Sequence, residues 1–594
     1  MNNRREFLKK SALTGILISG VTGMRSNLVA RDKSELMKDP GSKKSGNIFN
    51  SITFITSESP GVLTAKATRI FLRILTERTQ LDFSGNVGNQ LTIRLRILAQ
   101  TMPPEAFRIE KPAGNNIILS ASDSNGILYG LGKLLHSSVI TDSGFIPGSW
   151  EGLSVPEKPI RNIYFATHFH NFYHTAPIEK VIRYIEELAL WGYNALEVWF
   201  DMHGFEGIDD PRAVAMLDRL ALILRGAKES GMKIAIGMLA NEGYNSTPVE
   251  LRATEPKQIR LRGRYGVEIC PSKPGGAELI LKQAEAELDA FIRRGVVLDL
   301  LILWPYDQGG CGCDQCIPWG SNGYLKISRL ITALARKKIP GLKIILSTWL
   351  FDCVEDEGEW AGLAKAFKDE QPWADYIQAD SHETFPKYLN ANPVPGNLPL
   401  LNFPEISMWN SWPWGGFGAN PLPERFQRLW DEVRDRAAGG APYSEGIFED
   451  INKVIYSQFY WTGRKTAKET LREYISFEFS SDLADDILEA IYILEKNHGL
   501  RAVFKNGYPT KMLVPNEDYG AEKAYKLLNA ADPKLSEITR KGWRWRILFL
   551  RSIFDYELRR NNGIPNQTVE AGFRELTDLY FAENADLSVR PPVN

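Results

Sequence analysis

The chain reads as a (β/α)8 TIM barrel preceded by a small α+β domain and followed by an all-helical domain, and three observations predict this. Between residues 159 and 452 short apolar strands alternate with amphipathic helices eight times. The fourth strand, 297–304, is apolar apart from Asp299, the pattern of a strand buried on both faces in a parallel sheet. It then stops in Trp304, Asp307, Gly309 and Gly310: an aromatic, a carboxylate and a Gly-rich loop, as strands do at the catalytic face of such a barrel. No Gly-x-Gly-x-x-Gly turn follows any strand, which weighs against an open doubly wound sheet.

Residues 1–30 read as a twin-arginine signal peptide. Arg4-Arg5 stands one residue before Phe7-Leu8-Lys9, an apolar small-residue run follows, and Leu28-Val29-Ala30 offers a cleavage site. The run, about fourteen residues long, is too short for a permanent membrane helix. The mature protein is therefore expected to be periplasmic or secreted, with no membrane contact after signal cleavage. With 71 basic and 72 acidic residues the chain is nearly neutral, so nucleic acid is not an expected partner.

After a polar linker at 31–46, residues 47–150 read as an α+β accessory domain. A helix at 64–78 has Ala67, Ile70, Phe71 and Ile74 on one stripe; strands fall at 91–98 and 117–120. A second helix at 125–136 contains Gly126, Gly130 and Gly132, which predicts close packing on a sheet. The catalytic barrel spans 159–460, with strands at 160–166, 194–200, 232–239, 297–304, 343–349, 376–379, 398–403 and 442–448. From 465 to 594 the apolar spacing is helical, at 467–479, 484–497, 521–529, 534–559 and 568–581, and this domain is the candidate surface for a homodimer.

Chemistry collects just past the barrel strands. There stand His168 and His170; Trp199, Asp201 and His203; Asn241 and Glu242; Trp304 and Asp307; Trp349; Asp380 and His382; Glu405 and Trp409; Glu445 and Asp450. Trp412 and Trp414 share a Gly-rich loop with Trp409. A single strand-end carboxylate is more often a helix cap or an ion-pair partner, so the clustering carries the inference. Carboxylates mixed with indole faces suit a sugar, whose C–H faces lie on aromatic rings while its hydroxyls hydrogen-bond to polar side chains. Cleaving a glycosidic bond takes two carboxyl groups and no cofactor. Asp307, Asp380, Glu405 and Glu445 are the catalytic candidates; the histidines, tryptophans, Asn241, Glu242 and Asp450 are candidate substrate contacts.

Two further motifs bear on function. Cys311, Cys313 and Cys316 form C-x-C-x-x-C, and with Cys270 they make a ligand set for a structural zinc or, in an oxidising compartment, a disulfide with thiols left over. His168 and His170 form the His-x-His pair that metal-dependent amidohydrolases carry on their first strand, but such enzymes need further histidine ligands after later strands, and this chain offers only His382 after the sixth and none after the fifth. A barrel that binds glycans without cleaving them is the remaining alternative.

The strand, turn and helix ending in GILYGLGKLL resemble the accessory domain before the barrel in family 20 hexosaminidases and family 67 alpha-glucuronidases. The segments WPYDQGGCGCDQC, PEISMWN and YSEGIFEDINK are similar to glycosidases of those two kinds. The resemblance implies an exo-acting glycoside hydrolase, alpha-glucuronidase-like or hexosaminidase-like, with a helical domain after the barrel. By position alone it places an acid at Asp307 and a carboxylate pair at Asp380 and Glu405, and it favours inversion. Family 20 enzymes carry an adjacent Asp-Glu pair after the fourth strand where this chain has Asp307-Gln308, which argues against substrate-assisted cleavage of N-acetylhexosamines.

Overall fold

A computed structural model describes residues 47–582, except 57–58, 86–87, 170, 256–262, 354–357, 383, 408–417, 499–500, 506–507 and 514–516. The predicted signal peptide and linker therefore lie outside the described residues, as do His170, Trp409, Trp412 and Trp414.

The centre is a closed barrel of parallel strands in chain order: Ile160–Phe165, Ala195–Trp199, Lys233–Leu239, Leu300–Trp304, Lys343–Ser347, Tyr376–Asp380, Leu400–Phe403 and Ala437–Gly440. Every residue of Leu300–Trp304 is buried, as the apolar run requires. Asp299 sits just before it, accepting the Ile234 N–H at 2.9 Å and the Lys228 ammonium at 2.7 Å. That polar residue thus marks the barrel's lower rim.

The eighth strand differs from expectation. It begins at Ala437 rather than 442, and its continuation Tyr443–Ser444 pairs again with the first strand. Ala-Ala-Gly-Gly has no apolar alternation to read, and the reason for it is steric. Gly439 has φ +134°, and a Cβ there would lie 1.7 Å from the carbonyl oxygen of Ile160, so the seam closes only on glycine.

Before the barrel, a five-stranded sheet runs in the order Ser51–Thr56, Gln90–Ile97, Asn116–Ala121, Phe107–Glu110, Gly152–Ser154. Three of these strands were not anticipated; Phe107–Glu110 and Gly152–Ser154 are too short to show a period of two. Helix Ser124–His136 packs on this sheet through its glycines, as expected. A Cβ on Gly130 would meet Leu119 at 2.3 Å, and one on Gly132 would meet the Leu190 carbonyl of the barrel's first helix at 2.1 Å. Gly126 and Gly130 thus face the sheet, while Gly132, on the opposite side of the helix, docks the accessory domain on the barrel. Fully buried Arg161 fastens the joint, bonding Glu105 of the accessory domain at 2.9 Å and the Gly192 carbonyl at 2.6 Å.

After the barrel come helices Ala467–Ile475, Ala484–Lys496, Ala521–Ala531, Trp543–Arg560 and Gln567–Tyr580. The expected helix at 534–559 is broken by Gly542, whose extended backbone (ψ 140°) separates Glu537–Lys541 from Trp543–Arg560. A hairpin of Arg501–Lys505 and Tyr508–Leu513, absent from the helical reading, joins two of the helices. Among the described residues no helix is long and apolar enough to cross a membrane.

Candidate active site

Alternation along the strands turns one aromatic from each of several strands into the upper lumen. Tyr164, Trp199, Trp304, Trp349, Phe403 and Tyr443 line a pocket there together with His168, Tyr265, Tyr306, Asp307 and Glu405. Their rings form a continuous floor. Tyr164 lies 5.1 Å from Tyr443 and 6.3 Å from both Trp199 and Trp304; Trp304 lies 4.9 Å from Phe403 and 6.2 Å from Trp349. Three of these contacts, Tyr164–Tyr443, Trp304–Phe403 and Trp304–Trp349, are edge-to-face, a geometry that holds rings in place.

One turn below the floor, Glu197 and Asn162 are fully buried, with the Asn162 amide donating to the carboxyl at 2.9 Å. Burial pushes the Glu197 carboxyl up to about 8, against that hydrogen bond, so it is a neutral acid beneath the pocket at pH 7.

Two of the four predicted catalytic carboxylates meet at the pocket. Glu405, at the end of the seventh strand, is 5% exposed, and its Oε1 accepts the backbone N–H of Ser407 at 2.8 Å and the Ser407 hydroxyl at 2.6 Å. Those bonds aim the carboxylate. Asp307 follows the fourth strand in a left-handed conformation, φ 68°, and Gln308 after it has φ 83°. Two consecutive non-glycine residues in that region cost on the order of 1 kcal/mol each and persist only where neighbours hold them.

The neighbours are explicit. Asn241 accepts the Gly310 N–H at 2.9 Å and donates to the Gly310 and Ile269 carbonyls, both at 3.0 Å. The Trp319 indole donates to the Pro305 carbonyl at 2.7 Å, and Glu359 accepts from Tyr306 and from the Gly320 N–H. Asn241 is thus completely buried and clamps the loop that carries Asp307; it does not line the pocket.

Asp380 and Glu445, by contrast, do not line the pocket. Asp380 turns its Oδ1 back to the His382 N–H at 2.8 Å, and His382 lies off the pocket with it. Glu445 is fully buried and accepts the Tyr443 hydroxyl at 2.6 Å, so it serves a pocket residue. Asp450 also lies off the pocket: buried, it accepts the hydroxyls of Tyr184 and Tyr474 at 2.7 Å each and the Arg544 guanidinium at 2.8 Å, tying barrel to C-terminal helices. Glu242 supports the rim indirectly by accepting from His203 at 2.8 Å.

That His203 belongs to an array beneath the rim. Asp201 accepts the Trp199 indole N–H at 2.6 Å, and the His203 ring stacks on Tyr265 at 3.4 Å with a 7° interplanar angle. Burial alone would lower the pKa of His203; the carboxylates of Asp201 and Glu242 outweigh it and raise it. The ring so placed touches two pocket walls at once, Trp199 through Asp201, whose carboxylate lies 3.9 Å from its Nδ1, and Tyr265 by stacking.

Trp199, Trp304, Trp349 and His168 are pocket residues, as the sequence suggests. Tyr164, Phe403 and Tyr443 escaped notice, although a period of two counted back from Ala166, Glu405 and Glu445 reaches them. Tyr265 sits in the long insertion after the third strand, where no periodicity marks it. Among the described residues, His168 belongs to no group of three or more metal-ligating side chains. The arrangement can therefore hold a ring with apolar faces on the aromatic floor and present two carboxyl groups to it from the fourth- and seventh-strand sides.

No protein-family model and no curated protein matches the sequence. Solved structures share its fold at low identity. A family GH115 4-O-methyl-alpha-glucuronidase with specificity for decorated arabinogalactans superposes with a TM-score of 0.57 at 10% identity, over 90% of this chain and 76% of that one. A family 89 glycoside hydrolase from Clostridium perfringens in complex with 2-acetamido-1,2-dideoxynojirmycin gives 0.56 at 12% identity, over 87% and 65%. A GH138 enzyme targeting pectin rhamnogalacturonan II gives 0.54 at 12% identity, over 89% and 70%. The chain shares the (β/α)8 fold of these glycoside hydrolases.

Proposed function

We propose that the protein is an exo-acting glycoside hydrolase whose catalytic pair is Asp307 and Glu405. The observation that carries the reading is the meeting of these two carboxylates at a pocket floored by Tyr164, Trp199, Trp304, Trp349, Phe403 and Tyr443. One carboxyl protonates the leaving oxygen and the other acts as nucleophile or activates water. The aromatic floor supplies the stacking surface for the sugar ring, and the pocket form suits removal of a terminal residue. The strained loop at Asp307 and the Ser407 bonds to Glu405 hold the pair before substrate arrives, which is how orientation lowers a barrier.

The substrate class we infer is a plant-type or other acidic-sugar-bearing glycan. The specificity of the GH115 enzyme for decorated arabinogalactans and the targeting of pectin rhamnogalacturonan II by the GH138 enzyme support that choice. Export by the twin-arginine route, read from residues 4–30, places the enzyme where such polymers occur.

The test is release of chromophore from aryl glycosides, glucuronides and N-acetylhexosaminides included, by purified mature protein with and without chelator. Hydrolysis that survives the chelator and disappears in Asp307→Asn and Glu405→Gln supports the reading. Hydrolysis lost with metal revives the His168 and His170 alternative, and silence across the panel favours a glycan-binding barrel.

A further inference from the structure

We propose that Cys270, Cys311, Cys313 and Cys316 bind one zinc ion that staples the loop carrying Asp307 to the insertion after the third strand. All four Sγ atoms lie within 4.8 Å of one another. The Cys270 sulfur is 3.7 Å from that of Cys313 and 4.0 Å from that of Cys316. Four sulfurs about 2.3 Å from a tetrahedral zinc stand about 3.8 Å apart along each edge, and these separations match. They are far longer than the bond of about 2 Å that would join a disulfide pair. They are also too short to enclose an iron–sulfur cluster, whose irons and sulfides must fit between the thiolates.

The backbone is shaped for metal as well. Cys313 and Cys316 close a tight turn, the Cys316 N–H bonding the Cys313 carbonyl at 2.9 Å and the Ile317 N–H the same carbonyl at 3.1 Å. Gly312 donates to the Thr254 carbonyl at 2.8 Å, pulling the C-x-C segment onto the insertion that supplies Cys270. Cys270, Cys311 and Cys316 are each no more than 1% exposed. Four thiolates fill a tetrahedral zinc completely, so the ion is structural and leaves no position for substrate or water.

Its consequence is local. The ligands begin four residues after Asp307, and Cys270 follows Ile269, whose carbonyl accepts the Asn241 amide. Zinc and Asn241 therefore clamp the same two segments from either side. This inference stands on the sulfur geometry and does not depend on the glycosidase reading.

The experiment is elemental analysis of full-length purified protein, with the intact mass recorded under denaturing, non-reducing conditions. One zinc per chain is expected in the wild type and in Cys353→Ser, whose exposed thiol lies outside the cluster. Cys270→Ser and Cys313→Ser are expected to lose most of the zinc and to unfold at lower temperature. Should these variants fail to fold, cobalt substitution of the wild type provides a second readout: thiolate-to-cobalt charge-transfer bands and the visible absorption of a tetrahedral site. Stoichiometric iron in place of zinc, a mass showing disulfides among the four, or zinc retained fully in Cys270→Ser would each overturn the assignment.

Discussion

The side-chain amide of Asn241 holds both backbone polar groups of one residue, accepting the Gly310 N–H at 2.9 Å and donating to the Gly310 carbonyl at 3.0 Å. Both residues are buried. A residue just past the third strand therefore sets the position of the fourth-strand loop, and with it Asp307, without lining the pocket.

Asn241→Ala leaves two backbone groups of Gly310 and the Ile269 carbonyl without their partner, a loss of about 3 kcal/mol. The melting temperature is expected to fall, and kcat to fall more than KM rises, because the loop shifts while the aromatic floor stays. Asn241→Asp keeps the acceptor and loses the donor, and an intermediate loss is expected. Chemical denaturation alongside steady-state kinetics checks both; an unchanged kcat in a folded Asn241→Ala would remove the loop from catalysis.

Asp307→Asn and Glu405→Gln are each expected to reduce kcat/KM by roughly two orders of magnitude or more, as loss of a catalytic carboxyl does. Asp380→Asn preserves the acceptor for the His382 N–H and is expected to stay within about tenfold of wild type. Single-turnover assays on an activated aryl glycoside separate the two groups. An equal collapse in Asp380→Asn would mean that the sixth-strand carboxylate joins the pair when substrate binds.

Glu197 imposes a pH dependence on stability. Its folded pKa is raised to about 8 from the ordinary 4.5, so between those values the folded state holds a proton that the unfolded state has released. Stability from this group is therefore full below pH 4.5 and declines as pH rises toward 8. Glu197→Gln, neutral in both states, is expected to match wild type near pH 5 and to exceed it at pH 8 by a few kcal/mol, at about 1.4 kcal/mol per pH unit. Urea unfolding at the two pH values measures it; a difference independent of pH would contradict the neutral acid.

His203 acts in the same direction by the opposite chemistry. Its folded pKa is raised because Asp201 and Glu242 outweigh burial, so its contribution is present below the unfolded pKa and is lost as pH rises through the folded one. Histidine-to-glutamine substitution at position 203 is expected to destabilise most at pH 5 to 6 and progressively less above the raised value. The tryptophan fluorescence of the pocket, followed through the same titration, should shift in wild type and stay flat in His203→Gln.

The barrel was legible in the sequence because parallel strands buried on both faces are written as short apolar runs, and because a helix of period 3.6 follows most of them. The eighth strand was not, since Ala437 to Gly440 is shaped by a backbone contact at Ile160 that no side-chain pattern records. The same limit separates the candidate site residues. Strand ends could be read in order, and Trp199, Trp304, Trp349, His168, Asp307 and Glu405 were found there. Which of those ends faces the pocket depends on strand register and on where a loop folds back, and only the tertiary structure decides that: Asn241 turns to Gly310, Asp380 to its own chain, Glu445 to Tyr443 and Asp450 to Arg544. Chemical type and local spacing are properties of a sequence. The meeting of Asp307 with Glu405, nearly a hundred residues on, and of Cys270 with Cys313, is a property of the closed sheet that brings their strand ends together.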